Sequence, residues 1–284
     1  MELDLAIVSD ALGQTALRCR QLGGGDFASS HRVESAEGRV VFAKTHADPP
    51  PGFFTTEAAG LRWLREAGPV HVPEVLHASD SPPLLVLEWI EQSRSAQADE
   101  ASFGRSLAAL HQRGAESFGR SDGRTTGSQA LPNTTCDTWA GFLAEQRLLP
   151  LARIARDRGS LTEGAIARID HIAQNLNELV GPPEPPARLH GDLWAGNRVI
   201  DSFGTSWLID PACFGGHREF DLAMMRLFGG FGPDAFAAYH EANPLADGWA
   251  DRIALHQLPP LIVHAIKFGG SYGAAVERAL AEYT

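Results

Sequence analysis

The stretch Arg188-Leu-His-Gly-Asp-Leu-Trp-Ala-Gly-Asn-Arg-Val-Ile-Asp201, with the run Ser206-Trp-Leu-Ile-Asp-Pro211 shortly after it, decides the fold of this chain. Its polar residues Asp192, Asn197 and Asp210 are the ones to explain. Asp192 and Asn197 are five residues apart, and Asp210 follows thirteen residues later, directly after an apolar run that is typical of a buried strand. A loop, a hairpin and a second loop would bring the three side chains together.

Phosphoryl transfer requires side chains of these kinds. It uses a carboxylate that orients and deprotonates an acceptor hydroxyl, and oxygen ligands that hold Mg²⁺ on the phosphates. Protein kinases carry them in a His-Arg-Asp loop with an Asn five residues later, and in a subsequent Asp-Phe-Gly. The same spacing here gives His190-Gly-Asp192 to Asn197, then Asp210-Pro-Ala. Each piece alone fits an ordinary turn or helix cap better, but together they predict Asp192 as the base and Asn197 and Asp210 as magnesium ligands.

Composition and charge narrow the class of protein. With 284 residues, 44% of them hydrophobic and 21% charged, the chain is long enough for two domains with a sizeable core. No segment approaches the roughly 18 apolar residues of a membrane span, and the start lacks the pattern of a signal peptide, so we expect a cytoplasmic protein without membrane contact. Three cysteines far apart argue against a disulfide framework or a Cys-based metal site. A formal charge of −11 without a basic run argues against nucleic acid as a partner.

Residues 1–90 carry mainly β signals after one amphipathic helix. Alternating and apolar runs predict strands over residues 17–22, 31–34, 39–44, 73–78 and 84–90, the last central in the sheet. Gly23, Gly24 and Gly25 lie in the first turn. A turn without side chains lets backbone N–H groups approach phosphates, although an ordinary β-turn explains these glycines more simply.

Lys44 and Glu57 are candidates for the phosphate-binding pair. Lys44 closes the third strand, and Glu57 lies thirteen residues on, in a predicted helix over residues 53–65. In kinases a strand lysine reaches the phosphates and is held by a glutamate of the next helix; a solvated strand end and a helix-surface charge are the common alternatives. Because the pattern becomes helical after Gln92, we place a hinge at Glu88-Trp-Ile90 and predict that the backbone of Glu88 and Ile90 bonds an adenine edge.

Residues 91–284 are predicted to be mainly helical, with a long polar loop over 115–135. His111 lies on an apolar helix face, and we interpret it, with His190, as support for the catalytic loop. Asp221 stands near the start of a helix over 218–228. It is either a carboxylate favoured by the helix dipole or a brace for the catalytic loop, which we favour. Helix breaks are predicted at Asn243-Pro244 and at Pro259-Pro260.

Read in order, these motifs resemble the aminoglycoside-phosphotransferase branch of the protein-kinase-like fold, and within it the fructosamine/ketosamine-3-kinases. The closer resemblance covers nearly the whole chain and rests on five motifs: His190-Gly-Asp-Leu-Trp-Ala-Gly-Asn197, Asp210-Pro-Ala, Arg218-Glu-Phe-Asp-Leu-Ala-Met224, Leu227-Phe-Gly-Gly-Phe231 and Phe268-Gly-Gly-Ser-Tyr272. It implies an α+β fold of two lobes: an N-terminal nucleotide-binding lobe, residues 1–90, with about five antiparallel strands plus helices, and a mainly helical catalytic and substrate lobe, residues 91–284.

The resemblance also implies an activity. Family members use ATP and Mg²⁺ to phosphorylate the C3 hydroxyl of ketoamines, the adducts that sugars form with amines or protein lysines, and the 3-phosphate then leaves, so that the amine is freed. Asp192 would be the base toward the C3 hydroxyl, and Trp194 would flank the sugar, unless it is a core aromatic. Two other functions remain open: a kinase of the same fold acting on an aminoglycoside or an amino alcohol, and a non-catalytic nucleotide-binding protein.

Overall fold

The computed structural model describes residues 3–23, 28–124 and 129–283. By their contacts these residues form two compact units. The first comprises Met1–Asp99 and Asn197–Ala212, and the second Glu100–Gly196 and Cys213–Thr284. The sequence predicts a single boundary after residue 90; the contacts extend the first unit to Asp99 and add to it the segment that carries Asn197 and Asp210.

The first unit is built on the predicted five-stranded antiparallel sheet. Its strands run in the order β1-β2-β3-β5-β4, with bounds β1 Ala16–Gln21, β2 Ser29–Ser35, β3 Val40–Thr45, β4 Val75–Asp80 and β5 Pro83–Glu88. β5 lies inside the sheet, as its apolar composition predicts, and Leu84 to Leu87 are buried. Helix α1, Leu5–Leu12, packs its apolar residues against buried side chains of the sheet, and helix α2, Phe53–Ala67, packs against β4 and β5.

A short hairpin belongs to this first unit although it comes late in the chain. Its strands, β7 Arg198–Ile200 and β8 Ser206–Leu208, pair in antiparallel register. The Leu208 N–H donates to the His71 carbonyl at 2.9 Å, and the Ser93 N–H donates to the Ile200 carbonyl at 2.9 Å. These bonds to both sides of the hairpin explain why it groups with the sheet unit.

The second unit is mainly helical, as predicted. Its helices are α3 Glu100–Gln112, α4 Trp139–Leu143, α5 Leu149–Asp157, α6 Glu163–Gln174, α7 Leu176–Leu179, α8 Glu219–Leu227, α9 Pro233–Ala242, α10 Ile253–Phe268 and α11 Ser271–Leu280. A π-helical segment, Ala144–Leu148, joins α4 to α5, and short 3₁₀ turns cover Ala195–Asn197, Trp249–Arg252 and Ala281–Tyr283. Strands β6 Ala187–Leu189 and β9 Phe214–Gly216 pair with each other. The core is mainly aliphatic, and the rings of Trp139, Phe142 and Phe214 stack within it.

The predicted helix break at Pro259-Pro260 is wrong, because both prolines lie inside α10. A proline inside a helix loses one backbone hydrogen bond and crowds the preceding turn. Here Leu258 through Ile262 are all buried, and α10 packs against α8, α5 and α11. Burial of this apolar helix outweighs the local cost.

The state of the cysteines and the character of the helices can be compared with the predictions from composition. The three cysteines, all among the described residues, form no disulfide. In the part of the chain that the structure describes, no helix combines the length and the apolar character that crossing a membrane requires.

Candidate active site

Lys44 lies at the centre of a charged cluster in the first unit. Its Nζ is 3.1 and 3.0 Å from the two carboxylate oxygens of Glu57, and 2.9 Å from Oδ1 of Asp210. Burial by itself lowers the pKa of this ammonium group, but the carboxylates of Glu57 and Asp210 outweigh burial and raise it. Lys44 is therefore a permanent cation. Burial raises the pKa of Glu57, while the charge of Lys44 opposes that shift.

Helix α2 places Glu57 through a cap that comes from elsewhere in the chain. The helix begins after Gly52, which has φ 75° and no side chain to cap the first turn. Oδ1 of Asp80, at the end of β4, accepts hydrogen bonds from the N–H groups of Phe54 at 3.0 Å and Thr55 at 3.3 Å, and Oδ2 accepts from the Thr55 hydroxyl at 2.5 Å. These are the donors that an N-cap side chain normally serves. The role of Asp80 was not predicted from the sequence, in which the only hint was a helix start without a capping residue.

The β7–β8 hairpin brings Asn197 and Asp210 together from thirteen residues apart. The Ile209 N–H donates to the Asn197 carbonyl at 3.0 Å, which extends the hairpin by one bond. The side-chain amide of Asn197 donates to the Asp210 carbonyl at 3.4 Å. Asp210 has φ 51°, a left-handed conformation that few residues other than glycine adopt and that Asp tolerates better than most.

The chemistry of these two side chains fits a magnesium ion. Because the Nδ2 end of Asn197 points to a backbone carbonyl, its amide oxygen is the end that can act as a ligand. An amide oxygen and a carboxylate are hard ligands of the kind that Mg²⁺ prefers. Asp210 also contacts the ammonium group of Lys44, so this cation and the two candidate oxygen ligands are neighbours in one unit.

The catalytic-loop candidate Asp192 lies in the second unit, where buried groups brace its loop. The carboxylate of Asp221, which is fully buried, accepts from the N–H of His190 at 2.8 Å and from the N–H of Gly191 at 2.9 Å. His111 Nε2 lies 3.3 Å from the same carboxylate. The Asp192 N–H donates to His190 Nδ1 at 3.3 Å. Asp221 therefore holds the backbone just before Asp192, in addition to its place near the start of α8.

Tyr239 completes this bracing network and was also missed from sequence. Its hydroxyl lies 2.7 Å from Nδ1 of His111, and the two rings meet edge to face. Both side chains are buried. No local sequence signal links them, because they are 128 residues apart.

Trp194 lies at the surface of the second unit rather than in its core. It is 38% exposed, and its ring meets Phe228 edge to face at 5.7 Å. A Cβ at Gly196 would stand 2.2 Å from Cη2 of Trp194, so only glycine lets the indole lie over this position. Gly196 is therefore a third residue whose role the sequence did not disclose.

The remaining nucleotide-binding candidates are partly described. Gly24 and Gly25 lie outside the described residues, and Gly23 follows β1 by two positions. Glu88 ends β5, and its N–H donates to the Glu74 carbonyl at 2.9 Å. Because that N–H is already used within the unit, only the Glu88 carbonyl and the backbone of Ile90 are left for the predicted contact with adenine.

A second buried polar cluster, His217, Glu219 and His256, has potential metal ligands. The Glu219 N–H donates to His217 Nδ1 at 3.3 Å, and the Trp139 indole N–H donates to His256 Nε2 at 3.1 Å. Each neutral ring therefore carries its proton on the other nitrogen, and the Glu219 carboxylate already binds Arg252 at 2.9 and 2.6 Å. Burial lowers the pKa of His217 to about 4 and that of His256 well below its ordinary value. This cluster is a neutral histidine pair rather than a ready metal site.

The antiparallel sheet with its buried Lys44-Glu57 pair, and the helical unit with its braced Asp192 loop, define the chain as a phosphotransferase of the protein-kinase-like fold. A choline kinase from Streptococcus pneumoniae shares this fold with a TM-score of 0.65 at 16% identity, over 98% of this chain and 99% of that one. At such low identity the likeness shows the fold alone.

More specific comparisons identify the family. The fructosamine kinase family model matches residues 4–284, and the chain belongs to that family. A candidate fructosamine-3-kinase of known crystal structure from Thermobifida fusca has a TM-score of 0.90 and 39% identity, over 98% of this chain and 97% of that one. A probable ketoamine kinase from Thermus thermophilus is 38% identical over 259 residues, 91% of each chain. The resemblance drawn from the sequence is confirmed, and the chain is an ATP-dependent phosphotransferase.

Proposed function

We propose that this chain phosphorylates the C3 hydroxyl of ketoamines, free or attached to protein lysines, and so starts the removal of sugar from glycated amines. The observation that carries the chemistry is the Lys44 ammonium held between Glu57 and Asp210. The names of the relatives, ketoamine and fructosamine-3-kinase, support the acceptor.

In this proposal, Asp192 accepts the proton of the C3 hydroxyl as its oxygen attacks the γ-phosphorus of ATP. The bond between that phosphorus and the β,γ-bridging oxygen breaks, and ADP carries away the electron pair. Lys44 binds the phosphates, and Glu57 holds Lys44 in place. Asn197 and Asp210 would hold Mg²⁺, which when bound neutralises phosphate charge. Glycines 23 to 25, the Glu88 carbonyl and the backbone of Ile90 are proposed to contact the nucleotide.

Bracing of the catalytic loop gives His190, His111 and Asp221 their part in the mechanism. Two backbone bonds and a histidine converge on one buried carboxylate, so the loop has little freedom to rotate Asp192 away from the hydroxyl. The 3-phosphoketoamine then loses its phosphate spontaneously, and the amine is freed.

The test compares wild type with Asp192→Asn. We expect the variant to bind Mg·ATP with unchanged affinity in calorimetry and to lose turnover by about 10²- to 10⁴-fold, since a positioned base contributes that much. Asp170→Asn, which alters an exposed carboxylate paired with Arg156, is the matched control and should keep wild-type rates.

Acceptors are ribulosyl-lysine, fructosyl-lysine, an aminoglycoside and choline, with ADP release as the assay and ³¹P NMR to locate the phosphate. Turnover of a ketosyl-lysine with phosphate on C3 supports the proposal. Turnover of only the aminoglycoside or choline would retain the kinase and refute the acceptor. ATP binding without turnover of any acceptor would favour a non-catalytic role, and full activity of Asp192→Asn would refute Asp192 as base.

A further inference from the structure

Five aromatic side chains form one continuous surface on the second unit, which we call the aromatic surface. It begins in the catalytic loop with Trp194, whose ring meets Phe228 at 5.7 Å. Phe228 contacts His264 at 5.0 Å, and His264 contacts Phe268 at 5.5 Å and Tyr272 at 5.0 Å. The rings thus lead from the loop of Asp192 to the start of α11.

This surface is exposed to an unusual degree. Of the six large apolar side chains that are exposed among the described residues, three belong to it: Trp194 at 38%, Phe228 at 37% and Phe268 at 50%. Soluble proteins seldom leave contiguous apolar side chains exposed unless they bind something. A surface that starts two residues from the proposed base therefore points to a ligand of the same reaction.

Glycine turns bring the surface close to the catalytic loop and leave its far end open. A Cβ at Gly230 would stand 2.3 Å from the Cβ of Ala195, so the turn after Phe228 can approach the loop only because it lacks a side chain. Beyond Phe268, a Cβ at Gly269 or at Gly270 would meet no other atom within 4 Å. The near end is packed against the loop, and the far end has space.

We propose that the aromatic surface binds the amine-bearing arm of the acceptor, a secondary ammonium group with an aliphatic chain behind it. This assignment rests on the proposed function. In a ketoamine the nitrogen is attached to C1, three bonds from C3, so a C3 hydroxyl at Asp192 places the arm beside that loop. Aromatic faces attract cations and cover aliphatic chains, so an ammonium group with an aliphatic chain fits a row of exposed rings.

The order of the rings along the surface assigns each ring to one part of the acceptor arm. Trp194 and Phe228, next to the loop, face the ammonium group, whereas Phe268 lies farther along and contacts the chain behind it. The affinity should therefore rise with the length of the amine arm, and that rise should depend on Phe268. A sugar site without this arm contact would show no such dependence.

The experiment measures KM and kcat for ribulosyl adducts of methylamine and butylamine and of a lysine-containing peptide. In wild type we expect KM to fall about fivefold or more from methylamine to butylamine, as burial of little more than one methylene group would produce. Phe268→Ala should abolish this fall with kcat unchanged, and Phe268→Leu, which keeps an apolar side chain, should retain most of it. Phe203→Ala, at a side chain that is 90% exposed in the first unit, is the matched control and should behave like wild type.

Other outcomes overturn the assignment in distinguishable ways. If wild type phosphorylates both adducts but Phe268→Ala changes their KM values equally or not at all, the aromatic surface does not bind the arm and the proposed function stands. If Phe268→Ala converts a dimer to a monomer in sedimentation, with the arm dependence intact, the surface is an interface between two copies. If wild type phosphorylates no ketoamine, the proposed function fails and this assignment fails with it.

Discussion

Replacing Asp80 with alanine removes the cap of α2, and we expect the loss to reach Lys44 through Glu57. The substitution leaves the N–H groups of Phe54 and Thr55 without the oxygen that now accepts from them. Loss of an N-cap acceptor typically costs about 1 kcal/mol, and loss of a negative charge at a helix N-terminus adds about 0.3 to 1 kcal/mol. The expected destabilisation is about 1.5 kcal/mol, equivalent to a fall of about 3 to 6 °C in Tm.

The same change should weaken ATP binding. Glu57 is the fifth residue of α2, so fraying of the first turn loosens the partner that holds the Lys44 ammonium. If binding of ATP must restore about 1 kcal/mol of helix order, KM for ATP rises about fivefold. Asp80→Asn keeps an acceptor oxygen but not the charge, and should show less than half of both effects.

Thermal unfolding and steady-state kinetics with varied ATP test this reasoning, with Thr162→Ala as the control. Thr162 caps α6 in the other unit by accepting from the Ala165 N–H at 3.1 Å, so its loss should lower Tm by a similar amount without changing KM for ATP. Equal KM values for Asp80→Ala and Thr162→Ala, at equal loss of Tm, would show that Asp80 stabilises the fold without positioning Glu57.

Two further predictions follow from close packing and from buried histidines. Gly196→Ala should displace the Trp194 indole, because the new Cβ would stand 2.2 Å from that ring, and so raise KM for the acceptor and shift the tryptophan emission. Gly164→Ala is the control, because its new Cβ would lie 3.9 Å from the nearest atom. Unchanged kinetics in Gly196→Ala would contradict the packing argument. The pKa of His217 is about 4 in the folded protein and 6.5 ordinarily, so as the pH falls the unfolded chain binds the proton first. The free energy of unfolding should therefore fall as the pH falls between those two values, by at most about 1.4 kcal/mol per pH unit from this residue. Urea midpoints measured from pH 7 to pH 4 should decline less steeply in His217→Asn than in wild type or in His171→Asn, and equal slopes would show that His217 does not contribute.

Local sequence patterns predicted the strands, the helices and most of the candidate site residues. Alternation and apolar runs predicted all five strands of the sheet and the inside position of β5, because side-chain direction in a strand repeats every two residues. Helix α2 begins at the predicted Phe53. The predicted helix break at Pro259-Pro260 was wrong, because it considered the local cost of proline in a helix but not the free energy gained by burying α10. Spacing placed Asn197 and Asp210 near each other correctly, since a hairpin between them has to return the chain.

The sequence by itself determined the family and the sheet, and it supplied the acidic, amide and lysine candidates for phosphoryl transfer, since these depend on residue type and on spacing along the chain. Only the tertiary structure decided which residues hold them in place. Asp80 caps α2 although it follows Phe54 by 26 residues in the sequence, and Tyr239 contacts His111 although the two are 128 residues apart. It also decided that Trp194 opens an exposed surface instead of filling the core. Such contacts join distant segments through packing and hydrogen bonds, and no periodicity of the chain encodes them.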